Sequence, residues 1–148
     1  MNKKGYAQIV SAIIVILIIV FLASIIQVDR TQLLIKIGND KIVESHVISE
    51  KVALIKSFST PPESEGNYRL YVELKSETTG ETLLIGAKNN IGDGHFYFSD
   101  VKIPSFNDTL DLKIELKEYD NVLVTRDSKC KEIIIENGKI KQEKETWC

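Results

Sequence analysis

An uncharged run of eighteen residues, from Ile9 to Ile26, constrains this chain more than any other feature. Its length meets the requirement of about 18 to 20 apolar residues for a helix that spans a bilayer. Eleven of the eighteen residues are Ile or Val, which favour strands in water. In lipid a single strand leaves its backbone polar groups unpaired, whereas a helix satisfies them internally. The run therefore predicts a membrane-spanning type of α-helix near the N-terminus.

The charges that flank the run predict its orientation. Lys3 and Lys4 precede it, whereas the far flank carries the balanced pair Asp29 and Arg30. Positive charge is retained on the cytoplasmic side of a membrane. We therefore expect a single pass with the N-terminus in the cytoplasm and the C-terminal part outside the cell membrane.

The residues at the end of the apolar run indicate whether the run is cleaved off as a signal peptide. A secretory signal has an apolar region of roughly 7 to 15 residues, followed by a small-x-small cleavage site. Here the run is longer, and Phe21 and Leu22 stand where Ala23 and Ser24 would need a second small residue. Removal after the run is therefore disfavoured, and a permanent anchor is one interpretation of the helix.

The first eight residues, Met-Asn-Lys-Lys-Gly-Tyr-Ala-Gln, lead directly into the apolar run. This segment resembles the class III signal peptide of archaeal type IV pilins and archaellins. The resemblance implies that a prepilin-type peptidase cuts a short basic leader after Gly5, which leaves Tyr6 first, or after Lys4. It also implies that the retained helix self-associates in the core of a surface filament. One residue departs from the family, since a cut after Gly5 places Val10 at the fifth mature position, where many pilins carry Glu.

The remainder of the chain has the length of one domain. Residues 29–148 contain 17 basic and 21 acidic residues, without a basic patch rich in aromatics, so we expect no nucleic-acid partner. The expected organisation is a leader over residues 1–5, a hydrophobic helix with its extension over 6–34, and an extracytoplasmic β-sandwich over 35–148. Membrane lipid is the expected partner of the helix unless it lies in a filament.

Alternating apolar and polar residues predict short strands through most of this domain. The stretch from Gln27 to Phe58 is ambiguous, because Leu33 to Ile37 followed by Gly38-Asn39-Asp40 is also typical of a strand and a turn. We expect a helix to about Leu34, then strands over 41–48 and 51–58. Loops are expected at 60–66 and 88–94, and further strands at 68–74, 82–87, 95–98 with 101–103, 110–116, 122–125 and in a final hairpin.

Seven or more strands at about ten-residue spacing are typical of an antiparallel sandwich. The predicted fold class is mainly β: an N-terminal hydrophobic transmembrane-type α-helix followed by an antiparallel immunoglobulin-like β-sandwich. This arrangement also resembles the archaellins and the stator-like accessory proteins of the archaellum. The second functional interpretation is therefore a single-pass, membrane-anchored binding or accessory module of an envelope or archaellum-type complex.

Two cysteines near the C-terminus, Cys130 and Cys148, predict a disulfide in an oxidising compartment. Between them Asn137-Gly138 predicts a hairpin turn, because both turn positions need a positive φ. This turn would place Cys130 roughly opposite Glu145, close enough to Cys148 for a bond. Closing a loop of about 18 residues is worth about 3 kcal/mol.

Residues suited to catalysis or to metal binding are sparse in the sequence. His46 and His95 are far apart, and the chain lacks the serine-hydrolase, zinc-protease and phosphate-loop motifs. Residues 89–94 lack the spaced ligands and closing Glu of a calcium loop. We therefore expect no enzyme activity, no catalytic or metal-binding residue and no cofactor. Asn107-Asp108-Thr109 is an N-glycosylation sequon, which makes Asn107 a candidate modification site.

Overall fold

The computed structural model describes residues 3–57 and 65–148. The chain divides into two compact units, a helical unit with residues 1–30 and 49–60 and a sandwich unit with residues 31–48 and 61–148. Helices and strands follow in the order α1 (Lys3–Ile25), β1 (Gln27–Gly38), β2 (Lys41–Ala53), α2 (Leu54–Ser57), β3 (Glu65–Ser76), β4 (Thr82–Ile91), β5 (Gly94–Phe98), β6 (Asp108–Asp120), β7 (Val122–Glu136) and β8 (Lys139–Thr146).

The helix of the helical unit is shorter than the sequence predicts. Ile26 donates its amide to the Leu22 carbonyl at 2.9 Å, and α1 ends at Ile25. The Ile26 carbonyl then accepts a bond from the Leu54 amide at 2.8 Å, which joins the end of α1 to the start of α2. The predicted extension of the helix to Leu34 is wrong, because β1 begins at Gln27.

The sandwich unit consists of two antiparallel sheets, which confirms the predicted fold class. One sheet has the order β2-β1-β5 and the other the order β4-β3-β6-β7-β8. Strands β3, β6 and β7 are neighbours, as the third, sixth and seventh strands are in immunoglobulin sandwiches. In the smaller sheet β1, rather than the second strand, lies in the centre.

The core lies between the inner faces of the two sheets and follows the period of two that strands impose. The core residues of β1 are Leu33, Ile35 and Ile37, each of which is at most 2% exposed. Other strands contribute every second residue in the same way: Leu70, Val72 and Leu74 of β3, Phe96 and Phe98 of β5, Leu110, Leu112, Ile114 and Leu116 of β6, and Ile133 and Ile135 of β7. Residues Leu33 to Ile37 therefore form a strand, which confirms the strand-and-turn alternative and not the helix.

Turn residues account for where the hairpins fall. Asn39 and Asp40 have φ of 52° and 62°, and Asn137 and Gly138 have φ of 55° and 73°, so both two-residue connections use the left-handed region that tight hairpins require. The predicted turns at both places are confirmed. No such residue stands between Ile48 and Lys51, and β2 accordingly runs without a break to Ala53, where two strands were expected.

Other strand boundaries also differ from prediction. β4 continues to Ile91, whose side chain is 1% exposed in the core, so the expected loop over 88–94 shrinks to residues 92–93. Residues 101–103 are not in a strand, and β5 ends at Phe98. Of the loop expected over 60–66, residues 60–64 lie outside the described residues, as does position 58, whereas Glu65 and Gly66 belong to β3.

Candidate functional sites

Apolar side chains cover almost the whole circumference of α1 from Ile9 to Ile25. No side chain of the helix is buried, and the large apolar residues from Ile9 to Ile25 are between 36% and 62% exposed. Twenty-three residues at 1.5 Å each span about 35 Å, which exceeds the hydrocarbon thickness of a bilayer. The helix is long and apolar enough to cross a membrane, a property that anchors share with signal sequences.

The candidate cleavage residues Lys4, Gly5 and Tyr6 lie in the first turns of α1. Lys3 and Lys4 are exposed, and Tyr6 is 66% exposed. Met1 and Asn2 lie outside the described residues. Leader removal stays a prediction.

Three charged side chains of the larger sheet bind main-chain groups of the edge strand β2. The Ile42 amide donates to Asp127 Oδ2 at 2.8 Å, and the Val47 amide donates to Glu143 Oε1 at 2.9 Å. Between them Lys131 Nζ, on a residue that is 7% exposed, donates to the Ser45 carbonyl. These contacts, which we name the β2 clamp, join the two sheets along one side of the sandwich.

The two histidines are not brought together. His46 is on β2, where its Nδ1 lies 3.0 Å from Glu143 Oε2, next to the β2 clamp. His95 is exposed on β5, opposite Lys36 of β1. Since β1 lies between β2 and β5, these histidines do not form a shared site.

The disulfide between Cys130 and Cys148 is confirmed, with a Cα–Cα distance of 5.2 Å. Cys130 pairs with Thr146 rather than with Glu145, because a register shift between Ile134 and Ile135 adds one residue to β8. The disulfide joins the C-terminal residue, which follows β8 and the exposed Trp147, to strand β7.

The Asp108 carboxylate is the common acceptor of a hydrogen-bond network at the start of β6. Its carboxylate accepts bonds from the Ser76 hydroxyl, from the amide and hydroxyl of Thr78 at 3.2 and 2.7 Å, and from the Thr109 amide at 2.8 Å. Burial disfavours its charged form, but the hydrogen bonds outweigh burial and lower the pKa of Asp108 below its ordinary value. The neighbouring residue Asn107 is exposed, and its Oδ1 accepts the Asn137 amide at 3.0 Å. The network fixes the sequon beside the final turn, and glycosylation of Asn107 stays a prediction.

An acidic cluster of Glu77, Asp111 and Glu132 brings three carboxylate oxygens within 4.8 Å of one another. A hydrogen bond and repulsion from the Asp111 carboxyl raise the pKa of Glu77 above its ordinary value. Carboxylates of this kind suit Ca²⁺ or Mg²⁺, but all three are at least partly exposed, and like charges also gather on solvated faces. Sequence reasoning missed the cluster. The signal for it is the direct pairing of Asp111 with Glu132, which requires the β6–β7 register to be known.

No family model, no curated protein and no solved structure matches this chain.

Proposed function

We propose that this protein is a non-enzymatic, pilin-like subunit of a surface filament. In this proposal α1 lies in the filament core, or in the membrane before assembly, and the sandwich unit is displayed outside. It needs neither a cofactor nor nucleic acid.

The exposed apolar surface of α1 carries the proposal. Full burial of a Val, Leu, Ile or Phe side chain stabilises by about 1.5 to 3 kcal/mol relative to exposure. Because the large apolar side chains of Ile9 to Ile25 are all exposed, their contact with water would cost on the order of 20 kcal/mol or more. Such a surface is stable only where it is removed from water. Lipid chains and the helices of further copies are the two apolar environments that fit this helix.

The residues around the helix support an outward orientation of the sandwich. Lys3 and Lys4 favour a cytoplasmic N-terminus. The disulfide between Cys130 and Cys148 is of the kind that persists in oxidising compartments outside the cytoplasm. The segment up to Tyr6, which resembles an archaeal class III leader, supports processing by a prepilin-type peptidase and a filament as the destination.

A single-pass anchor that displays a binding or accessory module is the second candidate. Val10 favours it, since this residue stands where many pilins place a Glu if the cut follows Gly5. In that case α1 remains in lipid with its N-terminus intact, and the protein has a fixed, small stoichiometry in an envelope complex.

Fibres sheared from cells that produce the native chain distinguish the two candidates. The pilin-like proposal expects this protein as a bulk component of the purified fibres. A protein that stays wholly in the membrane fraction, while the cells shed other fibres, contradicts the proposal and favours the anchored module.

A further inference from the structure

Four strands terminate the two sheets of the sandwich: β2 and β5 in the smaller sheet, and β4 and β8 in the larger. An edge strand exposes backbone donors and acceptors that can pair with another chain, so proteins usually blunt their edges. The β2 clamp binds three main-chain groups of β2. β5 is five residues long, and β8 is rich in Lys and Glu and is tied down by the disulfide.

The edge of β4 lacks these protections. Leu83 to Ala87 carries no charge and no proline, and within the described residues no strand pairs with its outer side. From Leu84 to Lys88, between two register shifts, the strand is in regular register with β3, so its outer backbone groups keep the alternating spacing of an antiparallel strand. The Lys88 ammonium lies 5.4 Å from the centre of the Phe98 ring and thus has a contact within its own domain.

Ile85 is the clearest sign of a missing neighbour on this edge. Its side chain is 74% exposed, whereas Leu84 on the other face of the strand is partly buried against the core. An apolar side chain at the middle of an uncharged edge is unfavourable in water and favours strand addition.

We propose that β4 pairs antiparallel with β4 of a second copy of this chain, with Ile85 on the two-fold axis. The charges at the two ends of the segment select this occupant and this direction. Glu81 precedes the segment and Lys88 ends it, so antiparallel pairing brings the acidic end of one copy to the basic end of the other. Parallel pairing would align like charges. A two-fold axis perpendicular to a sheet also requires each residue and its opposite residue to lie on one face, which Ile85 opposite Ile85 satisfies.

The contact is small, because a strand pair of about six residues buries less than the roughly 1,600 Å² of a standard interface. It therefore depends on copies that are already held together. Anchoring of α1 in one membrane, or in one filament, provides a high effective concentration of neighbouring domains. The pairing goes beyond the proposed function and does not depend on which of the two apolar environments surrounds α1.

Cysteine cross-linking of the full chain in lipid vesicles tests the pairing. I85C places two thiols directly opposite each other, where Cβ atoms of paired residues are about 5 Å apart. N89C is the control, since Asn89 is exposed on the same strand, at the register shift that follows Lys88. In the proposed dimer the two positions 89 are about 26 Å apart, at about 3.3 Å per residue.

We expect mild oxidation to give a covalent dimer of I85C at least tenfold faster than of N89C, with the Cys130–Cys148 bond intact by mass analysis. Equal rates, or the absence of a cross-link at both positions, overturn the proposal. A nitroxide on N89C provides a second measurement, which does not depend on disulfide formation. It should give a distance between copies of about 25 to 35 Å, and the absence of a defined distance in that range contradicts the two-fold register.

Discussion

Replacement of Glu143 by Ala tests the β2 clamp. Glu143 accepts the Val47 amide through one oxygen and contacts His46 through the other, at 2.9 and 3.0 Å. Val47 is 6% exposed, so its amide has little access to water once the carboxylate is gone. Removing a hydrogen bond to a charged group from a buried partner costs about 1.5 to 3 kcal/mol. The His46 side chain is 49% exposed, and its contact with Glu143 therefore adds less than about 1 kcal/mol.

We expect E143A to lower the free energy of unfolding of the sandwich by about 2 to 3 kcal/mol. E143Q should lower the free energy of unfolding by about half as much, because the Gln side chain still offers a carbonyl oxygen to the Val47 amide. E145A is the matched control on the same strand, since the Glu145 side chain is 70% exposed and its ion pair with Lys129 is 3.6 Å long. It should change the stability by less than about 0.5 kcal/mol.

The assay is chemical denaturation of the full chain in detergent micelles. Unfolding is monitored by the circular dichroism signal of the β-sheets. Exchange of the Val47 amide provides a local measurement and should accelerate at least tenfold in E143A, since 1.4 kcal/mol corresponds to a factor of ten. Equal losses in E143A and E145A, or unchanged Val47 exchange, would refute the role given to the clamp.

Three further changes test the disulfide, the core and the Asp108 network. C148S should lower the free energy of unfolding by about 3 kcal/mol in denaturant titrations, and reductant should lower the wild type equally. F96A should cost about 3 to 5 kcal/mol in the same titrations, because Phe96 is fully buried, whereas F106A at a 44% exposed position should cost far less. Because the folded-state pKa of Asp108 is lowered, its stabilisation is present above the unfolded pKa of about 3.9 and is lost as pH falls through the folded pKa. In pH titrations of stability, D108N should therefore flatten this acidic limb, and an unchanged limb would contradict the assignment.

Local signals in the sequence predicted the parts of the fold that depend on neighbouring residues. The alternation of Leu110 to Leu116 lies within β6, and Asn137-Gly138 forms the final turn because its backbone needs positive φ. The disulfide followed from that turn, since the hairpin brings both cysteines to one end. A one-residue register shift near Ile134 could not be predicted, because a bulge leaves no mark in apolar residues that suit either register.

The errors occurred where the outcome depends on contacts between distant residues. Next to the end of α1, the Ile26 carbonyl accepts the Leu54 amide, a contact across 28 residues. The β2 clamp and the acidic cluster arise in the same way. Asp127 and Ile42 are 85 residues apart in sequence, and Asp111 meets Glu132 through strand register alone. A pattern of charges along single strands does not contain this information.

Intact-mass analysis of the protein isolated from its native cells tests the central claim most directly. A pilin-like subunit should lack the leader, so its sequence should begin at Tyr6, or at Gly5 if the cut follows Lys4. The remaining chain should still contain the whole apolar helix and the Cys130–Cys148 bond. A native protein that retains Met1 to Gly5 would contradict the account.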